Sequence, residues 1–132
     1  MRIGAAGAVA GLALLAGCSA GGGGTSAAAC AGPQLTLSPA EATVGQQVTA
    51  TVEWLHSGCD DTGGADEERP LVDVPVSFVQ GGTTVLLDEV SGTGERYSAT
   101  LVFPVPAEAT PGPAELTVAG SGVLPATLTV LP

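Results

Sequence analysis

Apolar side chains recur at every second position through most of the chain beyond residue 33. Val48, Ala50, Val52 and Trp54 alternate with Thr49, Thr51 and Glu53, and Leu35 and Leu37 flank Thr36 in the same way. Successive side chains of an extended strand point to opposite faces, so this spacing predicts strands with one face buried. Val72, Val74, Val76 and Phe78 then alternate with Asp73, Pro75, Ser77 and Val79. Gly81-Gly82 predicts a turn, Thr83–Val90 a further strand, and Ser91-Gly92-Thr93-Gly94 another turn. Tyr97, Ala99, Leu101 and Phe103 predict the next strand, with a proline-rich loop from Pro104 to Pro113 after it. Ala114, Leu116 and Val118 predict a sixth strand and, past Gly120-Ser121-Gly122, Leu124, Ala126, Leu128 and Val130 a seventh. No stretch after residue 18 has helical periodicity with caps. About seven short strands separated by turns predict an all-β fold, a single β-sandwich over residues 32–132. Pro75 and Pro125 are expected on edge strands, where a missing amide hydrogen does least harm.

The details of this pattern resemble bacterial immunoglobulin-like domains. Leu35-Thr36-Leu37-Ser38-Pro39 followed by Val44-Gly45-Gln46-Gln47-Val48 is similar to their first two strands. Gly94-Glu95-Arg96-Tyr97-Ser98-Ala99-Thr100, leading to Pro104 and Pro111-Gly112, is similar to their later half. The resemblance spans residues 34–131 and implies an immunoglobulin-like sandwich. The antibody arrangement of one cysteine per sheet around a core tryptophan is absent, so no antibody-type function is implied.

The pattern before residue 33 is different. Arg2 is the one base of a short leader, and Ile3–Ala16 is an unbroken run of apolar and small residues. That run is shorter than the ~20 residues a membrane span needs and fits a secretory signal. It ends in Leu15-Ala16-Gly17-Cys18, which resembles the bacterial lipobox. The resemblance implies cleavage before Cys18, leaving residues 1–17 as a lipoprotein signal peptide, and diacylglyceryl transfer to the Cys18 thiol. An ordinary signal cut nearby, with Cys18 incidental, is the competing reading. Two acyl chains, at ~0.8 kcal/mol per buried methylene, hold a protein firmly on a bilayer. Residues 18–31 contain four consecutive glycines and no apolar periodicity, and read as a flexible tether with a reach of ~20 Å. The expected location is the extracytoplasmic face of the cell membrane.

Of three cysteines, lipid on Cys18 leaves Cys30 and Cys59 in an oxidising compartment that favours a disulfide. A fold-back centred at Val44-Gly45 sets these two opposite each other. It also sets Leu35 opposite Trp54 and Leu37 opposite Val52, so that the apolar faces coincide. Closing such a loop stabilises a fold by ~3–4 kcal/mol in the chain-entropy model. Two free thiols or a metal pair are the alternatives.

Charge narrows the partners. All thirteen acidic residues lie after position 40, where the only bases are Arg69 and Arg96, and the formal net charge is −10. Such a surface repels phosphate backbones, so nucleic acid is excluded as a partner. Asp60, Asp61, Asp66, Glu67, Glu68 and Asp73 are hard oxygen ligands of the kind calcium takes. Their spacing does not match an EF-hand, and Gly63-Gly64 loosens the loop. A solvated loop, weak divalent-cation binding and the docking of a basic partner are the readings in play. His56, the only histidine, shares a face with Trp54 and is read as a packed or rim residue, with copper or zinc binding as the minor alternative. Ser57 beside it points to the opposite face, so the two do not make a hydrolase pair.

With one Trp and one Tyr the chain lacks the aromatic platforms of a glycosidase cleft. No enzyme activity and no cofactor are expected. The expected function is a membrane-anchored, non-catalytic interaction or structural module, acting on an envelope protein or polymer through strand edges and loops. Small-ligand or cation binding through the acidic 60–73 segment, and an accessory role beside an envelope enzyme or transporter, are the alternatives.

Overall fold

The computed structural model describes residues 32–58 and 68–132. Every regular element among them is a strand: β1 (Gln34–Ser38), β2 (Glu41–Ala42), β3 (Gln47–Glu53), β4 (His56–Ser57), β5 (Arg69–Pro70), β6 (Val74–Gln80), β7 (Thr83–Val90), β8 (Ala99–Pro104), β9 (Gly112–Val118) and β10 (Ala126–Val130). The seven longer strands match the seven alternating segments of the sequence. The other three are two-residue pieces that no periodicity can announce.

Two sheets form a β-sandwich. One has the order β1-β3-β8, the other β2-β10-β9-β6-β7, and β4-β5 is a separate short ribbon. Alternation decides which side chains fill the space between them. Val48, Ala50 and Val52 of β3 face inward, against Val74, Val76 and Phe78 of β6, Ala114, Leu116 and Val118 of β9, and Leu128 and Val130 of β10. Phe103 and Val105 close the core from the side of β8. Its filling is mostly Val, Leu and Ala, and no buried side-chain polar atom among the described residues lacks a hydrogen-bond partner. Gly81 and Gly82, both at positive φ, make the two-residue reversal that joins Gln80 to Thr83.

The first segment divides between the sheets. β1 pairs antiparallel with β3, then the chain crosses at Pro39-Ala40 and β2 pairs parallel with β10, Thr129 opposite Glu41 and Val130 opposite Ala42. This crossing overturns the expected register. Leu35 lies opposite Val52 and Leu37 opposite Ala50, not opposite Trp54 and Val52. A tight turn does form at Val44-Gly45, closed by the Gln46 amide on the Thr43 carbonyl (3.0 Å) with Gly45 at φ 80°, but it links β2 of one sheet to β3 of the other, so the path from β1 to β3 is not a simple hairpin. A shift of two residues preserves side-chain parity, so the apolar faces coincide all the same. The register no longer argues for placing Cys30 opposite Cys59, and both cysteines lie outside the described residues.

Three strands are shorter than the alternation predicts, each cut beside a non-glycine residue in the left-handed region: Trp54 (φ 62°), Asp73 (φ 52°) and Tyr97 (φ 47°). β3 ends at Glu53, and the turn at Trp54 delivers Leu55, not Trp54, to the core, where it is fully buried. β6 starts only at Val74, so Val72 is exposed and Leu71 packs against the core instead. β8 starts at Ala99, leaving Tyr97 in a tight turn closed by its amide on the Gly94 carbonyl (3.2 Å). Leu124 likewise falls outside β10 and is 81% exposed.

The two prolines do not sit on edge strands. Pro125 precedes β10, outside any strand. Pro75 lies inside β6, which has neighbours on both sides. It is tolerated there because its carbonyl accepts from Ala119 (3.0 Å) at the last rung toward β9, and the chain turns away just beyond.

Candidate functional site

The end of β3 carries the one convergence of reactive and aromatic side chains among the described residues. Past Glu53 the backbone is knitted to the turn before β8: the Trp54 amide donates to the Arg96 carbonyl (2.8 Å) and the Leu55 amide to the Tyr97 carbonyl (3.0 Å). Gly92 makes this approach possible. A Cβ there would lie 2.5 Å from the Leu55 carbonyl oxygen and 3.0 Å from that of Tyr97, both backbone atoms. The left-handed conformations of Trp54 and Tyr97 sit on either side of the join. Such conformations cost about 1–3 kcal/mol each and persist where surrounding contacts enforce them.

The side chains follow from that backbone. The Arg96 guanidinium lies 6.0 Å from the centre of the Trp54 ring, within cation–π range. Its Nη1 also donates to Glu53 Oε1 at 3.1 Å. The rings of His56 and Tyr97 pack at 5.0 Å between centroids, tilted by 47°. His56 Nδ1 lies 3.1 Å from the Gly58 carbonyl. The only Trp, Tyr and His of the chain thus share one rim with Arg96 and Glu53. All three rings are half-buried, so each keeps an exposed part on a braced support. His56 lies on the β4-β5 ribbon, opposite Pro70, while Ser57 pairs with Arg69 and is exposed.

Of the acidic residues singled out as cation ligands, Glu68 and Asp73 are described, and both are exposed. The Asp73 amide donates to Ser91 Oγ at 2.9 Å, which fixes the backbone there and not a carboxylate cage. Asp60, Asp61, Asp66 and Glu67 lie outside the described residues, as does Cys18. Among the described residues no group of three His, Cys, Asp or Glu side chains is placed to hold a metal ion.

A second feature lies at the far end of β6, ~20 Å away by the rise of its seven residues. A cleft of about 240 Å³ opens between the Gly81-Gly82 turn and the 105–111 loop, floored by Phe78 and Val85. Gln80 braces it: Nε2 donates to the carbonyls of Thr110 (2.8 Å) and Pro113 (3.3 Å), and the Thr110 amide donates to Oε1 (2.9 Å).

Sequence reasoning singled out Trp54 and His56 as sharing a face but missed Arg96 and Gln80. Nothing local announces either, since Arg96 meets Glu53 across 43 positions and Gln80 meets Thr110 across 30. No family model, curated protein or solved structure matches the chain, so its function is read from these two surfaces.

Proposed function

We propose that this chain is an exported, lipid-anchored, non-catalytic interaction module whose folded part is an immunoglobulin-like sandwich. One observation carries the reading of an interaction module: Trp54, Tyr97, His56 and Arg96 converge on one rigid rim. Trp, Tyr and Arg are the side chains that dominate binding hot spots, because they present large areas at low conformational cost. Rings held over strained backbone and a braced guanidinium serve recognition by a partner better than they serve proton or group transfer.

The lipobox-like Leu15-Ala16-Gly17-Cys18 supports the anchor, and the glycine run after it supports a short tether. β1 begins at Gln34, opposite Glu53, which puts the start of the sandwich next to Trp54. In this reading the aromatic rim faces the membrane side, where an envelope protein or polymer close to the bilayer meets it. The division of the first segment between sheets, with its parallel pairing of Ala42 to Val130, supports the immunoglobulin-like type. Cys30 and Cys59 are read as a disulfide, which adds two hydrogens to the mass on reduction.

Cross-linking and pull-down from native membranes tests the function, using the full chain and the variants Trp54→Ala and Arg96→Ala. The expected result is one partner recovered with the native chain and lost with both variants while their melting transitions stay cooperative. Recovery of the protein alone, or of the same partner with all three chains, overturns the assignment of the rim. For the anchor, the native chain is expected in the detergent phase and Cys18→Ala in the aqueous phase. Equal partitioning removes the lipid.

A further inference from the structure

We propose that the free edge of β7, with the cleft beside it, is a strand-addition site for an extended, basic segment of another protein. The site lies at the opposite end of the sandwich from the aromatic rim and does not depend on it.

The backbone supplies the first part. β7 ends the order of its sheet, so one row of its amides and carbonyls faces no strand among the described residues. The amide and carbonyl of one strand residue point to the same side. Pro75 directs its carbonyl to Ala119, beyond the end of β9, so the residues of β6 that face β7 are Val74, Val76, Phe78 and Gln80. Their partners Val90, Asp88, Val85 and Thr83 turn inward to the ladder. Thr84, Leu86 and Glu89 therefore turn outward. The Glu89 amide is already taken, by Asp88 Oδ1 at 2.8 Å. Past the irregularity at Val76/Ser77 the open stretch is thus Thr84–Leu86. An exposed edge of this kind is a template for another strand.

The side chains supply the second part. Strand addition takes its affinity from main-chain hydrogen bonds and its specificity from pockets for alternate side chains. Here the cleft lies directly beside the open stretch, lined by Phe78, Val85, Ala109 and Pro106 with Thr83 and Glu108 at its sides. On the outer face Leu86 is 62% exposed. An added strand would place one aliphatic side chain in the cleft and the next over Leu86. The Gln80 bridge to Thr110 holds the cleft wall in place before anything arrives, which lowers the ordering cost of binding.

Charge selects the occupant. Glu108 lines the cleft, Asp88 and Glu89 stand at the far end of β7, and among the described residues no Lys, Arg or His lines the cleft. A second copy of a chain with net charge −10 is repelled at this surface, whereas lysines or arginines between the aliphatic residues of an incoming segment are attracted.

The test is amide hydrogen exchange on the full-length protein in detergent micelles, titrated with a synthetic nine-residue peptide of alternating valine and lysine. Two control peptides are used: the same sequence with alternate backbone nitrogens methylated, and one with glutamate in place of lysine. Exchange at Thr84 and Leu86 is expected to slow at least about tenfold with the valine–lysine peptide and with neither control. Leu86→Lys, a change at an exposed position, is expected to weaken binding about tenfold with the melting transition intact. Leu86→Pro, which removes an outward amide hydrogen, is expected to abolish the protection. Unchanged exchange at Thr84 and Leu86 at millimolar peptide overturns the proposal. So does equal binding of the methylated peptide, which would mean charge attraction without strand pairing. Protection that disappears in Trp54→Ala would move the site to the aromatic rim. The rim assignment itself stands or falls on the membrane pull-down, so the two readings fail separately.

Discussion

Gln80 and Thr110 exchange two hydrogen bonds across the cleft end of the sandwich, Nε2 to the Thr110 carbonyl at 2.8 Å and the Thr110 amide to Oε1 at 2.9 Å. A side-chain amide here does what a neighbouring strand does elsewhere, satisfying both backbone groups of a loop residue at once. Gln80→Ala leaves both groups to water and frees the 105–111 loop. The expected loss is about 1–2 kcal/mol of stability. Urea denaturation reads it, and exchange at the Thr110 amide is expected to quicken by more than exchange in β3, which follows only the global loss.

Gly92 and Gly94 lie two residues apart and resist alanine for different reasons. Gly92→Ala drives a Cβ to 2.5 Å from the Leu55 carbonyl oxygen, so the join between β3 and the turn before β8 has to open. A loss of about 1–3 kcal/mol or more is expected. Gly94→Ala meets no atom within 4 Å, but the residue sits at φ +72°. Its expected cost is the conformational one alone, about 1–2 kcal/mol. Tryptophan fluorescence separates the two, since only the Gly92 substitution disturbs the surroundings of Trp54.

Leu116 and Leu124 sit in similar alternating runs and differ entirely in burial. Leu116 is fully buried between the sheets, and Leu124 is 81% exposed ahead of β10. Leu116→Ala is expected to cost about 2–5 kcal/mol. Leu124→Ala is expected to stay within about 0.5 kcal/mol of the native chain. Thermal melts of the two variants give the comparison directly.

Arg96 and Glu53 form an ion pair of 3.1 Å at a rim where the arginine side chain is 65% exposed. Water and salt screen it, so Glu53→Gln is expected to cost less than about 1 kcal/mol, and less again in high salt. Arg96→Ala loses the contact with the Trp54 ring as well and is expected to raise the exposure of that ring to a soluble fluorescence quencher. Equal quenching in both chains contradicts the ring contact.

Where alternation runs uninterrupted, as through Val48–Val52, Val74–Phe78 and Ala114–Val118, the buried face is legible in the order of residues alone. It stops being legible at Trp54, Asp73 and Tyr97, where a left-handed residue rotates the chain and changes which neighbour is buried. Periodicity assumes an extended chain, and these positions are where that assumption ends. The aromatic rim is half legible: Trp54 and His56 are two residues apart, whereas Arg96 and Tyr97 arrive from a distant turn. The braced cleft is not legible, because both of its walls are loops.

Alternating aliphatic residues, turn glycines and the lack of any amphipathic helix were enough to determine an all-β chain of seven principal strands. Only the tertiary structure decided the register of β1 on β3, the sharing of the first segment between two sheets, and the meeting of Arg96 with Trp54 and of Gln80 with Thr110. The physical reason is range. Side-chain direction along a strand is set by the local backbone, whereas pairing between strands is settled by competition among many partners distant in the chain.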